Sequence, residues 1–192
     1  CFSEIWEHNI LFAFDRRTRH EWGSKLQPLC FRPAEKSDQS LVFELLKNAA
    51  LWLQDRQICH LRVWLNPSPG LISWILQGFE NGEFNLIYLG EKVIGCFRLQ
   101  WSDELFWGKS DEPAGYVHSF AIDRSLAGQH LGERTLALIG EHCLHRGRDW
   151  LRLDCETDNH RLRNYYERCG FCRVREVPIK GGGWTTLYEK RI

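Results

Sequence analysis

The sequence predicts an α+β fold, one mostly antiparallel mixed sheet flanked by about four helices. Three observations carry that reading. Short runs of apolar or alternating residues recur along the chain, two of them separated by only a short turn. Longer stretches carry apolar residues at helical spacing behind good N-cap residues. The resulting order, β-α-α-β-β-β-α-β-α-β-β, groups strands next to strands instead of alternating them strictly with helices.

In chain order, Leu29-Cys30-Phe31-Arg32 is a short alternating strand closed by Pro33. Ser37 and Asp38 are N-cap types, and Leu41, Leu45, Ala49 and Leu53 follow at i,i+4 spacing, a helix to about Arg56. The breaker cluster Asn66 to Gly70 precedes a shorter helix that carries Leu71, Ile72, Ile75 and Leu76 and stops near Gly78. Strands Phe84–Leu89 and Val93–Gln100 are joined by Gly90-Glu91, which suits a type II′ hairpin. A polar loop, Ser102 to Gly115, leads into a strand at Tyr116–Ile122, and Gly128 to Gly132 opens a helix to about His145. Trp150–Cys155 reads as a strand, Asn159–Cys169 as a helix and Phe171–Val177 as a strand. Gly181-Gly182-Gly183 turns the chain into a last strand, Trp184–Glu189.

Composition narrows the function classes. The 192 residues are 43% hydrophobic and 26% charged, the profile of one globular domain with a short appendage. Lys plus Arg and Asp plus Glu both number 25, so neither nucleic acid nor acidic lipid is expected to be gripped by charge. No apolar run approaches the ~20 residues that span a bilayer, and no secretory pattern opens the sequence, so the expected location is cytoplasmic. Residues 1–26 lack a clear period and are read as an extension of uncertain status before a domain at 27–192; the chain contains no Met. Its eight cysteines suit reduced thiols. The one CxxC, Cys169 to Cys172, has no second pair at zinc-finger spacing, so no metal is expected.

Two segments carry chemistry. After the strand ending at Ile122, Ala127-Gly128-Gln129-His130-Leu131-Gly132 stands where a helix begins. The free N–H groups of a first helical turn and the positive end of its dipole suit a pyrophosphate. In the second segment, Asn159, Leu162, Tyr166, Gly170 and Phe171 follow at offsets that cap a helix, line one face of it and end it before a strand.

Together these segments resemble the GNAT superfamily of N-acetyltransferases, over roughly Leu29 to Glu189 and most strongly from Gly115 to Phe171. That family carries Arg/Gln-x-x-Gly-x-Gly/Ala after a strand, and further on Asn-x-x-Ala-x-x-x-Tyr-x-x-x-Gly-Phe. The opening Phe31-Arg32-Pro33-Ala34 with Ser37-Asp38 fits as well. Two positions depart: Ala127 replaces the Arg/Gln, and His130 replaces the first Gly. Gly there allows close backbone approach and unusual φ, so an imidazole either crowds a pyrophosphate or adds a donor to it.

The resemblance implies the GNAT acyl-CoA acyltransferase fold and acetyl transfer from acetyl-CoA, as cosubstrate, to a primary amine of a small molecule, amino acid or peptide by direct attack in a ternary complex. It implies cofactor binding by the main chain at Phe120 and Ile122, by Gly128, Gln129, His130, Leu131, Gly132 and Glu133, and by Asn159 near the pantetheine arm. Tyr166 matches the Tyr that donates to the leaving sulfur. His118 stands where histone-modifying members carry a Glu base, and an imidazole with pKa near 6.5 suits proton removal at neutral pH. Glu83 and Asp103 are less favoured bases. For the acceptor, Trp52, Trp64, Trp74, Trp101, Phe106 and Trp107 together with Asp103, Glu104, Asp111 and Glu112 read equally as an aromatic and acidic wall for an amine with an apolar portion or as core aromatics beside a solvated acidic loop. An acyl-CoA-binding sensor or an inactive interaction protein of the same fold is the alternative that Ala127 and His130 motivate. The oligomeric state is open, a homodimer included.

Overall fold

The computed structural model describes residues 27–55, 62–179 and 182–192. The expected extension at 1–26, the end of the first helix at Arg56 and Gly181 lie outside the described residues. Seven strands form one sheet: β1 (Leu29–Pro33), β2 (Phe84–Leu89), β3 (Lys92–Gln100), β4 (Ala114–Ile122), β5 (Trp150–Glu156), β6 (Cys172–Pro178) and β7 (Trp184–Arg191). The helices are α1 (Gln39–Gln54), α2 (Pro69–Glu80), α3 (Leu131–Leu144) and α4 (His160–Arg168). The sheet runs β1-β2-β3-β4-β5-β7-β6. Every neighbouring pair is antiparallel except β4 and β5, which are parallel. The element order is the expected one, with differences at the ends that have physical reasons.

Gly90, at φ +62, takes the first central position of the two-residue turn between Leu89 and Lys92. Ser68 caps α2 by accepting from the Leu71 N–H at 3.2 Å, with Pro69 at the first helical position. That helix does not stop at Gly78 but continues to Glu80. Gly78 is a packing requirement there, since a Cβ would stand 2.8 Å from the Phe84 ring and 2.9 Å from Arg98 Nε. Asp38 precedes α1, yet its carboxylate turns back, accepting from the Glu35 N–H at 2.9 Å and from Arg32 at 3.0 Å.

Helices cover both faces. On one face α3 and α4 bury Leu131, Leu136, Ile139, Cys143 and Tyr166 against Phe97, Leu99, Val117, Leu151 and Leu153. On the other, α1 and α2 bury Val42, Leu46, Ile75 and Phe79 against Phe84, Leu86, Cys96 and Ala121. A smaller cluster of Trp107, Ala114, Tyr116 and Leu187 lies beneath the β3–β4 loop. Arg152 ties that loop down through Glu112, and Arg175 of β6 donates to the Phe106 and Trp107 carbonyls at 3.2 and 3.0 Å.

The sheet is irregular at its centre. Cys96 pairs with Ala121 and Arg98 with His118, so Phe97 alone faces both Ser119 and Phe120. This is a β-bulge, and Ser119 sits in left-handed backbone at φ +50 to make it. Beyond it β4 no longer follows β5: the two pair only over Ala114–Val117 and Trp150–Leu153. Among the described residues, the β5-side edge of 118–122 therefore has no strand partner.

Gly95, next to the bulge, packs directly against β4, and a Cβ there would lie 2.3 Å from the Ala121 carbonyl oxygen. Gly95→Ala is expected to lower stability by about 1–3 kcal/mol or more, as overpacking against rigid backbone does. Urea denaturation of the variant beside the wild type measures it; equal midpoints would contradict the packing.

Candidate active site

Where β4 and β5 part, a cleft of about 800 Å³ opens on the α3–α4 side. Its walls come from β4 and the loop after it (Phe120, Ile122, Arg124), the start of α3 (His130 to Glu133), α4 (Asn159, Leu162, Tyr165, Tyr166) and α1 (Trp52). The volume is within the usual range of small-molecule sites. Of the eleven predicted catalytic and cofactor-binding residues, nine, Tyr166 among them, line this cleft, and His118 and Gln129 do not.

The α3 end of the cleft is built by left-handed backbone. Asp123 Oδ1 accepts from the Ser125 N–H at 2.9 Å and starts a tight turn over Arg124–Leu126. Gly128 (φ +88) and His130 (φ +55) then reverse the chain into the helix, which begins at Leu131 instead of within the glycine loop. The first intrahelical bond runs from the Arg134 N–H to the His130 carbonyl at 3.1 Å, and the His130 side chain does not cap. The amides of Leu131, Gly132 and Glu133 are left without intrahelical acceptors at the positive end of the helix dipole. His130 has the φ that the family's glycine would supply, and its side chain is 78% exposed, with Nδ1 3.4 Å from Glu133 Oε2. The imidazole thus stands at the rim and does not fill the cleft. Gly132 is close-packed: a Cβ would lie 2.4 Å from Tyr165 Oη.

Asn159 caps α4, its Oδ1 accepting from the Leu162 N–H at 3.1 Å, and also lines the cleft. Tyr166, about two turns further on, packs its buried ring against Tyr165, Phe171 and Tyr188. Burial raises the Tyr166 phenol well above its ordinary pKa, with Cys155 and Asp154 adding to the shift. A phenol held this firmly protonated acts as a hydrogen-bond donor, and full proton transfer from it is less favourable than from a free tyrosine.

His118 is not in this cleft. It projects from β4 toward the α1–α2 face, its ring edge-on to Trp74 at 6.0 Å and tilted against Phe106 at 6.5 Å. Nδ1 stands 3.6 Å from Asp154 Oδ1 and Nε2 3.5 Å from Asp103 Oδ2. Asp154 also accepts from Thr185 Oγ1 at 2.8 Å. Burial pushes the imidazole pKa down, opposed by Asp103 and aided by Arg98. It pushes both carboxyls up, opposed by His118 at Asp103 and by the Thr185 hydroxyl at Asp154. Glu83 is occupied by Arg98, whose side chain is 2% exposed, donates to it from Nε at 2.7 Å and lies 3.8 Å over the Trp74 ring.

The structure does not gather the six aromatics into one wall. Only Trp74 and Phe106 flank His118. Trp52 lines the α3–α4 cleft under Arg124, Trp101 stacks on His142 of α3, and Trp107 lies under Arg152 in the small cluster. Trp64 packs against the α1–α2 core. Gln129 is exposed and does not line the cleft. Sequence reasoning missed Asp154, a strand residue with nothing in its neighbours to mark it, and Arg124, Arg161 and Arg168, which bring positive charge to the cleft of a chain with no net charge.

Two outcomes follow. His130→Gly relieves left-handed strain of about 1–2 kcal/mol and gives back about 0.5–1 kcal/mol through the freer unfolded chain. The thermal midpoint is expected to rise by roughly 1–3 °C, and a fall would mean the imidazole contributes contacts of its own. For His118, the native state resists a proton that the unfolded state accepts below about pH 6.5. Stability from this group is lost as pH drops from there toward the lower native pKa, by at most about 1.4 kcal/mol per pH unit. The difference in unfolding free energy between wild type and His118→Gln should therefore change between pH 7.5 and 5.5, in the sense that acid favours the variant.

Comparison with known proteins agrees with this geometry. Residues 44–171 match the acetyltransferase (GNAT) family. The chain is 31% identical over 168 residues to the uncharacterized N-acetyltransferase YesJ of Bacillus subtilis, covering 83% of this chain and 88% of that protein. A GNAT-family acetyltransferase of Listeria monocytogenes superposes with a TM-score of 0.67 at 22% identity, over 85% of this chain and 95% of the other. YncA, a putative acetyltransferase of Salmonella typhimurium solved with its cofactor acetyl-CoA, does so at 0.60 and 16%, over 85% and 94%. With two-thirds of its length matched and the seven-stranded, split sheet in place, the chain belongs to the acetyltransferase (GNAT) family and is an acyltransferase.

Proposed function

We propose that this protein transfers an acetyl group from acetyl-CoA to a primary amine by direct attack in a ternary complex. The observation that carries the reading is the unpartnered edge of β4 at residues 118–122, with the cleft on one side of it and His118 on the other. A related fold solved with acetyl-CoA supports the choice of cosubstrate.

The residues present fit that cosubstrate. Amides of Leu131, Gly132 and Glu133, unpaired within α3, would hold a pyrophosphate, with Gly128 leaving the approach open. The free main chain at Phe120 and Ile122 would pair with an extended amide-bearing arm as a strand would, beside Asn159. When bound, acetyl-CoA supplies an activated thioester. Tyr166 keeps its proton on Oη in the cleft wall as a donor for a departing thiolate, and His118, buried on the other side of the β4 edge, would take a proton from the amine. Binding the two reactants at opposite sides of one strand edge exchanges a bimolecular encounter for a positioned one.

Tyr166→Phe is expected to lower kcat by roughly tenfold to a hundredfold while leaving acetyl-CoA affinity within a few-fold. Thioester turnover followed by released thiol over a panel of primary amines, with calorimetry for binding, tests this. Binding without turnover on any amine would favour the sensor reading; no binding at all would remove both.

A further inference from the structure

Among the described residues, Ser119 and His130 alone combine a side chain with positive φ, and the β-bulge accounts for Ser119. At His130 nothing in the packing offsets the strain. The side chain is 78% exposed and does not cap α3. An outlier of this kind, at the mouth of a cleft, points to function before it points to folding.

What the imidazole does border is the cleft. Within residues 127–132, His130 is the residue that brings a polar side chain to the cleft wall: Ala127, Gly128, Leu131 and Gly132 carry none, and Gln129 does not line it. The family pattern opens this loop with Arg or Gln, whose side chains carry N–H donors, and Ala127 carries no donor. Glu133, in the first turn of α3, shares the wall, its Oε2 3.4 Å from His130 Nδ1. An anion seated on the amides of Leu131, Gly132 and Glu133 meets that carboxylate unmasked unless the imidazole carries a second proton.

We propose that the two departures from the family pattern compensate: the donor absent at Ala127 is restored at His130, whose imidazolium contacts the pyrophosphate of acetyl-CoA and masks Glu133, so that cofactor binding takes up a proton. This rests on the acetyl-CoA reading and adds to it a proton-linked binding residue peculiar to this chain. The step balances simply: the imidazole lone pair takes a proton from solvent, and the resulting N–H donates to a phosphate oxygen. Imidazole is the side chain whose charge changes across the neutral range. The other groups that line the cleft beside it keep their charge there. The guanidiniums of Arg124, Arg161 and Arg168 do not titrate. Hydrogen bonds from Ser125, with Lys92 assisting, hold Asp123 below the usual carboxylate range. Burial raises the Tyr165 phenol and the Cys169 thiol. His160, at the start of α4, does not line the cleft.

The test is calorimetric titration of the full chain with dephospho-CoA at pH 5.5 and pH 8.0. That probe keeps the pyrophosphate but lacks the 3′-phosphate monoester, which would itself titrate at about pH 6. Wild-type affinity is expected to be roughly threefold to fivefold higher at pH 5.5, the scale of an exposed ion pair. His130→Asn, neutral and tolerant of left-handed backbone, should show the wild type's pH 8.0 affinity at both values. Adding Ala127→Arg to that variant should restore the pH 5.5 affinity and remove the pH dependence. A merely structural imidazole would instead lower affinity equally at both pH values in His130→Asn. That result, a flat wild-type profile, a slope that survives His130→Asn, or a double variant no tighter than the single one would overturn the proposal. No binding at either pH would remove the acetyl-CoA reading and this inference together, whereas binding that ignores pH removes this inference alone.

Discussion

Parallel pairing between β4 and β5 lasts four residues, and the rest of the molecule is arranged around its failure. A central strand edge without a partner would leave amides and carbonyls unsatisfied inside a protein. Here those groups border a cleft, so water or a ligand with its own peptide-like groups can meet them. The bulge at Ser119 diverts β4, and Gly95 lets β3 stay in contact through the distortion. One backbone irregularity thereby creates a gap through the sheet that both faces can reach.

Each face supplies a different kind of group to the gap. From the α3–α4 side come peptide N–H groups, which are rigid, uncharged and suited to spread anionic charge. From the α1–α2 side come side chains with titratable protons. Their separation by a strand means that the two chemistries do not quench each other. Had His118 pointed into the cleft with Glu133 and the arginines, its protonation would answer to those charges. Instead it answers to Asp103 and Asp154, with Arg98 held close behind by Glu83 and Trp74.

Left-handed backbone recurs at the positions that aim these groups: Ser119 at the bulge, and Gly128 and His130 before α3. Two of the three are not glycine, so the fold holds strained conformations at the gap, as functional sites often do. At His130 the departure from the family's glycine changes the cost of that conformation and leaves its shape in place. The side chain that fits worst by type points to solvent, where its bulk meets little.

Local patterning determined most of this architecture. Strand runs, caps, the Gly90 turn and the two motif segments are properties of neighbours in the chain, and alternation or helical spacing exposes them directly. The resemblance those motifs carry implied that Tyr166, Asn159 and the α3 amides share a site, and the packing of α4 beside the start of α3 brings them to one cleft. Tertiary structure alone decided the rest. Gly78 reads as a stop until Phe84 and Arg98 arrive against it, and α2 runs on. The tryptophans look alike in the sequence but disperse over four environments, since a ring's burial depends on which sheet face its strand or loop presents. Asp103 and Asp154 are 51 positions apart in the numbering, and only the meeting of β4 with β5 puts His118 between them. No local pattern records such a pairing, because its physical cause is the register of strands distant in sequence.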